Sequence, residues 1–210
     1  MQTRISKEKL TEIIDGLFLQ IVWILLCIDS LEALRDIDKS KKKIAKNFLY
    51  ITKTSLVYRY SMELAKLFDN RGLSLYEIIK RCKNNPDYFY EKFDVEQYCD
   101  EFRRTLSQHN TLISNIRNRR RKTYAHNDEE YYLFSQKAID DFPLDFEEIK
   151  IMSEKILHFA KRLQVEIGSK RSHMDYPTYY DDVKRLFGEK TIEELYLEKN
   201  QSEMNIYSVK

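Results

Sequence analysis

An all-α fold is what this sequence predicts, and three observations carry the prediction. Apolar residues recur every three or four positions over four long stretches. Only four Gly and three Pro punctuate 210 residues, too little turn chemistry for an all-β fold or a doubly wound sheet. Residue pairs with capping-box spacing stand where two of the helical patterns begin. The expected architecture is a bundle of four long helices with short helices between them and a helical extension at the C-terminus.

The first long helix runs from Ser6 to about Arg35 through Leu10, Ile13, Ile14, Leu17, Ile21, Ile24, Leu25, Ile28 and Leu31. A lysine-rich break at residues 36–43 precedes the second, with Ile44, Phe48, Ile51, Ser55, Tyr58, Met62, Ala65 and Phe68 as its apolar stripe. Asp69-Asn70-Arg71-Gly72 stops it. Ser74 and Glu77 open a short helix over Leu75 to Cys82, which Asn84-Asn85-Pro86 ends. The third long helix starts near Asp94 and carries Val95, Phe102, Leu106, Ile113 and Ile116 unbroken into a basic cluster. The fourth starts at Asp145 and Glu148, continues through Phe146, Ile149, Met152, Ile156, Phe159, Leu163 and Ile167, and stops at Gly168. Two short helices, over 178–187 and 191–199, are expected beyond it. Residues 1–168 thus read as the bundle, and 169–210 as an extension packed on or beside it.

Charge names no partner globally, because 36 Lys and Arg nearly balance 34 Asp and Glu. The three cysteines, Cys27, Cys82 and Cys99, are odd in number, lie inside helical patterns and read as reduced thiols. The most apolar run, Leu17 to Ile28, contains Gln20 and falls short of the roughly 20 residues that span a bilayer, so a buried helix and no membrane association are expected. No secretion signal is visible at the N-terminus, and the expected address is the cytoplasm. His109, His126, His158 and His173 lack the spacing of zinc sites, and the scattered glycines form no phosphate-cradling loop, so no metal or cofactor is expected.

The chemistry concentrates at Ile116 to Asp128, IRNRRRKTYAHND. A guanidinium is always charged and offers a fork of donors matched to phosphate oxygens, while an imidazole moves protons near neutral pH. At about 100° per residue, Leu106, Ile113 and Arg120 share one stripe, with His109 beside it. Arg120 therefore continues the apolar face, Arg119 and Arg121 point to solvent on opposite sides, and Arg117 lies close to the stripe. His109, on the apolar face, reads first as a satisfied core or interface histidine. A basic helix end alone is also what the helix dipole favours.

This segment resembles the HEPN superfamily (higher eukaryotes and prokaryotes nucleotide-binding), whose members carry an Arg, four to six intervening residues and a His. Arg120 and His126 have five residues between them; Arg119 and Arg121 also fit, with six and four. Ala125-His126-Asn127-Asp128 is similar to the ending of the abortive-infection branch. Ala65-Lys66-Leu67-Phe68-Asp69 followed by Gly72-Leu73-Ser74-Leu75 is similar to that branch's link from its second helix to a short one. The resemblance spans Ser6 to Gly168.

It implies a HEPN-like bundle that pairs as a homodimer and cuts RNA without a metal, as a growth-arresting toxin of a toxin–antitoxin pair or a phage-defence effector. Arg120 and His126 would be its catalytic residues. Arg117, Arg119, Arg121 and Lys122 would bind the RNA backbone, and His109, Asn127 and Asp128 would support the site. The implied partners are RNA, a second copy, and an antitoxin or nucleotidyltransferase. The sequence departs from the pattern in two places: Arg121 follows Arg120 where a smaller polar residue or His is common, and Asp128 stands where some toxin members carry a Tyr that a nucleotidyltransferase modifies. The alternative reading is a noncatalytic dimer that binds RNA, a nucleotide or a protein through the same basic cleft.

Overall fold

The computed structural model describes residues 5–37, 46–69, 72–125, 135–173 and 179–188. Among them the structure is helical throughout, with no strand: α1 (Lys7–Asp36), α2 (Lys46–Leu67), α3 (Leu75–Lys83), α4 (Val95–Ser107), α5 (Asn110–Arg119), a π-helical segment (Arg120–Ala125), α6 (Ser135–Asp141), α7 (Phe146–Ile167) and α8 (Tyr180–Leu186), with 3₁₀ turns at Pro86–Tyr88 and Lys170–His173. Contacts divide the chain into two compact units. One takes residues up to Leu25 and Tyr58–Tyr176; the other takes Leu26–Val57 and everything from Pro177 onward.

Caps set the helix ends. Ser74 Oγ accepts from the Glu77 amide at 3.3 Å, and Asp145 Oδ1 accepts from the Glu148 amide at 2.9 Å, as their spacing predicts. Asp94 does the same for Gln97 at the start of α4. Each bond satisfies one of the orphan amides of a first turn. Gly168 takes φ 76° and closes α7 in a Schellman turn, with the Ser169 amide on the Gln164 carbonyl and the Gly168 amide on that of Val165.

In the first unit Leu10, Ile14, Leu17 and Ile21 of α1 are buried with Leu64 of α2 and Phe68 just past its end, Leu75 and Ile79 of α3, Phe102 of α4 and Phe159 of α7. Phe102 and Phe159 stack at 3.8 Å between centroids. Polar ties fix the register: Gln20 Nε2 donates to the Glu63 carbonyl at 3.1 Å, and Asp15 Oδ1 accepts from both Gln164 Nε2 at 2.6 Å and Ser169 Oγ at 2.7 Å. Cys82 and Cys99, unrelated by sequence spacing, lie side by side as buried free thiols; the hydrogen bond between them, with burial, pushes the Cys82 thiol well up. The second unit has its own small core, Leu34, Ile37 and Leu49, against which Leu56, Val183 and Phe187 pack. Tyr180 Oη donates to Asp36 Oδ2 at 2.8 Å beside it. By length and composition α1 is apolar enough to cross a membrane, yet 61% of its most apolar window is buried in the protein, the pattern of a core helix.

Three differences from the sequence expectations stand out. The third long helix is not continuous. The amides of Gln108 and His109 bond three residues back, Ser107 Oγ donates to the Arg104 carbonyl at 2.6 Å, and α4 gives way to α5 at a turn that lets the His109 ring reach α7. The expected stripe of α2 is only half right: Ala65 and Phe68 face the core, but Phe48, Ile51 and Tyr58 are 65%, 63% and 48% exposed. The first half of α2 is apolar on two sides, and the competing side with Leu49 won the core. Helix α6, with Ala138 buried, is an element the sequence reading left out. In the extension, a helix stands at Tyr180–Leu186 within the expected 178–187, whereas 191–199 lies outside the described residues.

Candidate nucleic-acid interface

The basic cluster is built on the end of α5. Leu112, Ile113 and Ile116 anchor that helix in the core, and Asn115 Nδ2 donates to the Pro143 carbonyl at 2.9 Å, fixing it against the segment that leads into α7. Arg117 and Arg119 occupy the last turn, where cations complement the dipole. At Arg120 the chain widens into π-helical winding that lasts to Ala125, and α6 packs against this wider turn. A π segment shifts each following side chain around the axis and is frequent at functional sites.

Arg120 does not reach solvent freely. Its Nη1 donates to Asp69 Oδ2 at 2.5 Å, and the two side chains are 32% and 26% exposed. The charge that continues the apolar stripe is thus met by a carboxylate just past the end of α2. The Nε of Arg120 is buried and has no acceptor among the described residues, and the same is true of the Nε of Arg119. Arg119 is half-buried and not the solvent-facing residue expected from the ideal helical wheel, which assumed unbroken winding from Leu106 where the chain turns at Gln108 and His109 between α4 and α5. Arg121 is exposed, its Nη2 3.4 Å from Asn118 Oδ1, and Arg117 and Lys122 are half-buried. His126, Asn127 and Asp128 lie outside the described residues.

His109 is buried, and both ring nitrogens are engaged: Nδ1 lies 2.9 Å from Glu148 Oε1, and Lys155 Nζ donates to Nε2 at 3.2 Å. An ammonium only donates, so Nε2 is the acceptor and the ring proton sits on Nδ1, directed at the carboxylate. His109 pins the α4–α5 turn to α7. The 10 residues of α5 separate it from Arg120 by about 15 Å of helical rise. Among the described residues no three His, Cys, Asp or Glu side chains are grouped as a metal would require.

The sequence did not point to Asp69 as a partner of Arg120. The two lie 51 residues apart, and the only shared sign is that both fall in segments that carry the family resemblance.

This all-helical bundle is a HEPN-type abortive-infection domain, as a family-model match over most of the chain shows. The chain belongs to the HEPN_AbiU2 family, described as AbiU2, whose model matches residues 7–186. That match runs past Gly168 and takes in α8. No curated protein and no solved structure matches the chain.

Proposed function

We propose that this protein is a metal-independent RNA endonuclease that works as a homodimer, with Arg120 and His126 as the reacting pair. The observation that supports this reading best is the pair of buried Nε–H groups on Arg119 and Arg120, at a π turn whose chain continues to His126. A buried donor without an acceptor costs about 1–3 kcal/mol, and an anion relieves that cost. A phosphodiester is an anion whose oxygens fit the guanidinium fork.

In this reading the ribose 2′-hydroxyl attacks its own adjacent phosphorus, the bond to the 5′-oxygen breaks, and a 2′,3′-cyclic phosphate and a 5′-hydroxyl result. His126 moves the proton, a role worth ~10²–10⁴-fold. Arg120 holds the non-bridging oxygens as charge builds. In a dimer the two copies of His126 divide the acid and base roles. Arg117, Arg119, Arg121 and Lys122 attract the backbone, and Asn127 and Asp128 support His126. The family's abortive-infection character supports a toxin or phage-defence role in the cytoplasm, held in check by an antitoxin or a nucleotidyltransferase.

One observation favours the alternative, a noncatalytic dimer binding RNA, a nucleotide or a protein: Asp69 already neutralises Arg120. Incubation of purified protein with mixed RNA in chelator separates the two. The nuclease reading expects products ending in cyclic phosphate, lost in both Arg120→Ala and His126→Ala with helicity and dimerisation intact. RNA that is bound but left whole by the wild type establishes the alternative.

A further inference from the structure

Three residues beyond Asp69, on the same unit, the chain enters a second feature that the Arg-His site does not use. Between α3 and α4 lies an open cleft of about 560 Å³, lined by Gly72, Ser74, Tyr76, Lys80, Lys83 and Arg103, with Glu77 as its acid. The acid that lines this cleft is committed, and so is Asp100, which lies outside the lining and holds one of its lysines. Glu77 Oε1 is paired with Arg81 Nε at 3.2 Å, and both oxygens of Asp100 take Lys83 Nζ at 2.7 Å, a contact that holds the Asp100 carboxyl below its usual range. Lys80 and Arg103 are exposed and carry no hydrogen bond or ion pair among the described residues. Among the described residues the cleft thus offers two cations outside any hydrogen bond or ion pair, Lys80 and Arg103, the latter still within the field of Asp100, and no acid outside one.

Its position gives this charge a meaning. Asp69 is bonded to Arg120, and three residues of fully extended chain span at most about 11 Å, so the Gly72 edge of the cleft lies within that reach of the Asp69 backbone. On a nucleic-acid strand, with a phosphate every ~3.4 Å of duplex rise or somewhat more when single-stranded, this is a few nucleotides.

From this placement we infer that the cleft between α3 and α4 is a backbone subsite for single-stranded RNA, in which Lys80 and Arg103 hold phosphates a few nucleotides away from the one at Arg120. The inference rests on the proposed RNA reading and names a second place where the strand is gripped. It makes affinity depend on strand length: a dinucleotide fills the Arg120 end alone, whereas a longer strand reaches both.

The test compares wild type with the double variant Lys80→Ala/Arg103→Ala, both full-length, on three probes: a 12-nucleotide 2′-O-methyl RNA, which lacks the attacking hydroxyl, a dinucleotide of the same chemistry, and AMP. Both substituted side chains are exposed, and circular dichroism verifies unchanged helicity. Wild type is expected to bind the 12-mer on the order of tenfold more tightly than the variant at 0.1 M salt, and the variant's salt slope to be shallower by about 1.4. Dinucleotide and AMP binding should be equal in the two proteins. Equal affinity and slope for the 12-mer overturn the subsite. A matching loss for AMP overturns it as well, because the cleft is then a mononucleotide pocket. Cleavage is not among the readouts, so a wild type that binds the 12-mer but never cuts RNA defeats the nuclease reading and leaves this comparison intact.

Discussion

Arg120 Nη1 and Asp69 Oδ2 join the start of the π-helical segment after α5 to the chain just past the end of α2, half-shielded from water on both sides. Fully exposed ion pairs are worth 0–1 kcal/mol, and breaking a buried one costs 3–5. Exposures of 32% and 26% put this pair between those limits. Asp69→Asn is expected to destabilise the protein by about 1–2 kcal/mol, a fall in Tm of roughly 2–8 °C for a chain of this size. A thermal double-mutant cycle with Arg120→Met checks it: coupling near zero would show that the two charges are held there by other groups.

That pair also marks where reading the chain stops being sufficient. The helical spacing placed Arg120 on a buried stripe and so required a partner for it, but a partner 51 residues away has no local signature. Caps at Ser74 and Asp145 and the stop at Gly168 were legible because each is a bond within a few residues; at Asp94 the start of the helix was legible, its cap was not. The outward turn of Phe48 and Ile51 was not, because α2 carries two apolar sides and only tertiary packing chooses between them. The break at Ser107 and His109 was hidden because the apolar spacing runs on through it, and the partners that engage the His109 ring, Glu148 and Lys155, sit on another helix.

The second unit has a tether with a pH signature. The hydrogen bond from Tyr180 holds the Asp36 carboxyl below its usual range, while burial and then that same bond push Tyr180 up to about 12. Asp36 is more acidic in the folded state, so its contribution is present above the ordinary carboxylate range and is lost as pH falls through it. Tyr180 holds its proton more firmly when folded, so its contribution is complete below about 10 and is lost as pH rises from there toward 12. Tyr180→Phe should flatten the stability profile at both ends relative to wild type and leave the neutral region nearly parallel. Denaturant midpoints across pH 3 to 11 provide the measurement. Identical pH dependence in the two proteins would mean that the tether contributes nothing.

Two glycines should respond to alanine with opposite signs. Gly16 lies inside α1, where an added Cβ meets nothing within 4 Å, so Gly16→Ala should stabilise by up to about 1 kcal/mol. Gly168 has φ 76°, and its Cβ would come 3.3 Å from Tyr90 Oη. Gly168→Ala should cost about 1–2 kcal/mol, from the left-handed backbone and the displaced tyrosine. Tm values for the two variants decide the matter, and a neutral Gly168→Ala would show that the Schellman turn relaxes without loss.

His109 sits in a polar chain, Glu148 to His109 to Lys155, at the turn between α4 and α5. Removing the ring leaves Glu148 and Lys155 without their shared partner and opens space beneath the turn, two losses that act together. His109→Ala is expected to destabilise by about 2–3 kcal/mol. His109→Gln, which keeps a donor and an acceptor but cannot span both partners with one planar ring, should recover part of that. Because α5 carries the Arg cluster at its far end, the proposed RNA reading expects an indirect consequence: a loosened turn lets the helix end wander and weakens RNA binding in proportion to stability lost, leaving its salt dependence unchanged. Stability and RNA affinity measured side by side for the two variants test this. A His109→Ala protein with wild-type Tm but impaired RNA binding would contradict the anchoring role and place His109 in contact with the ligand's own path.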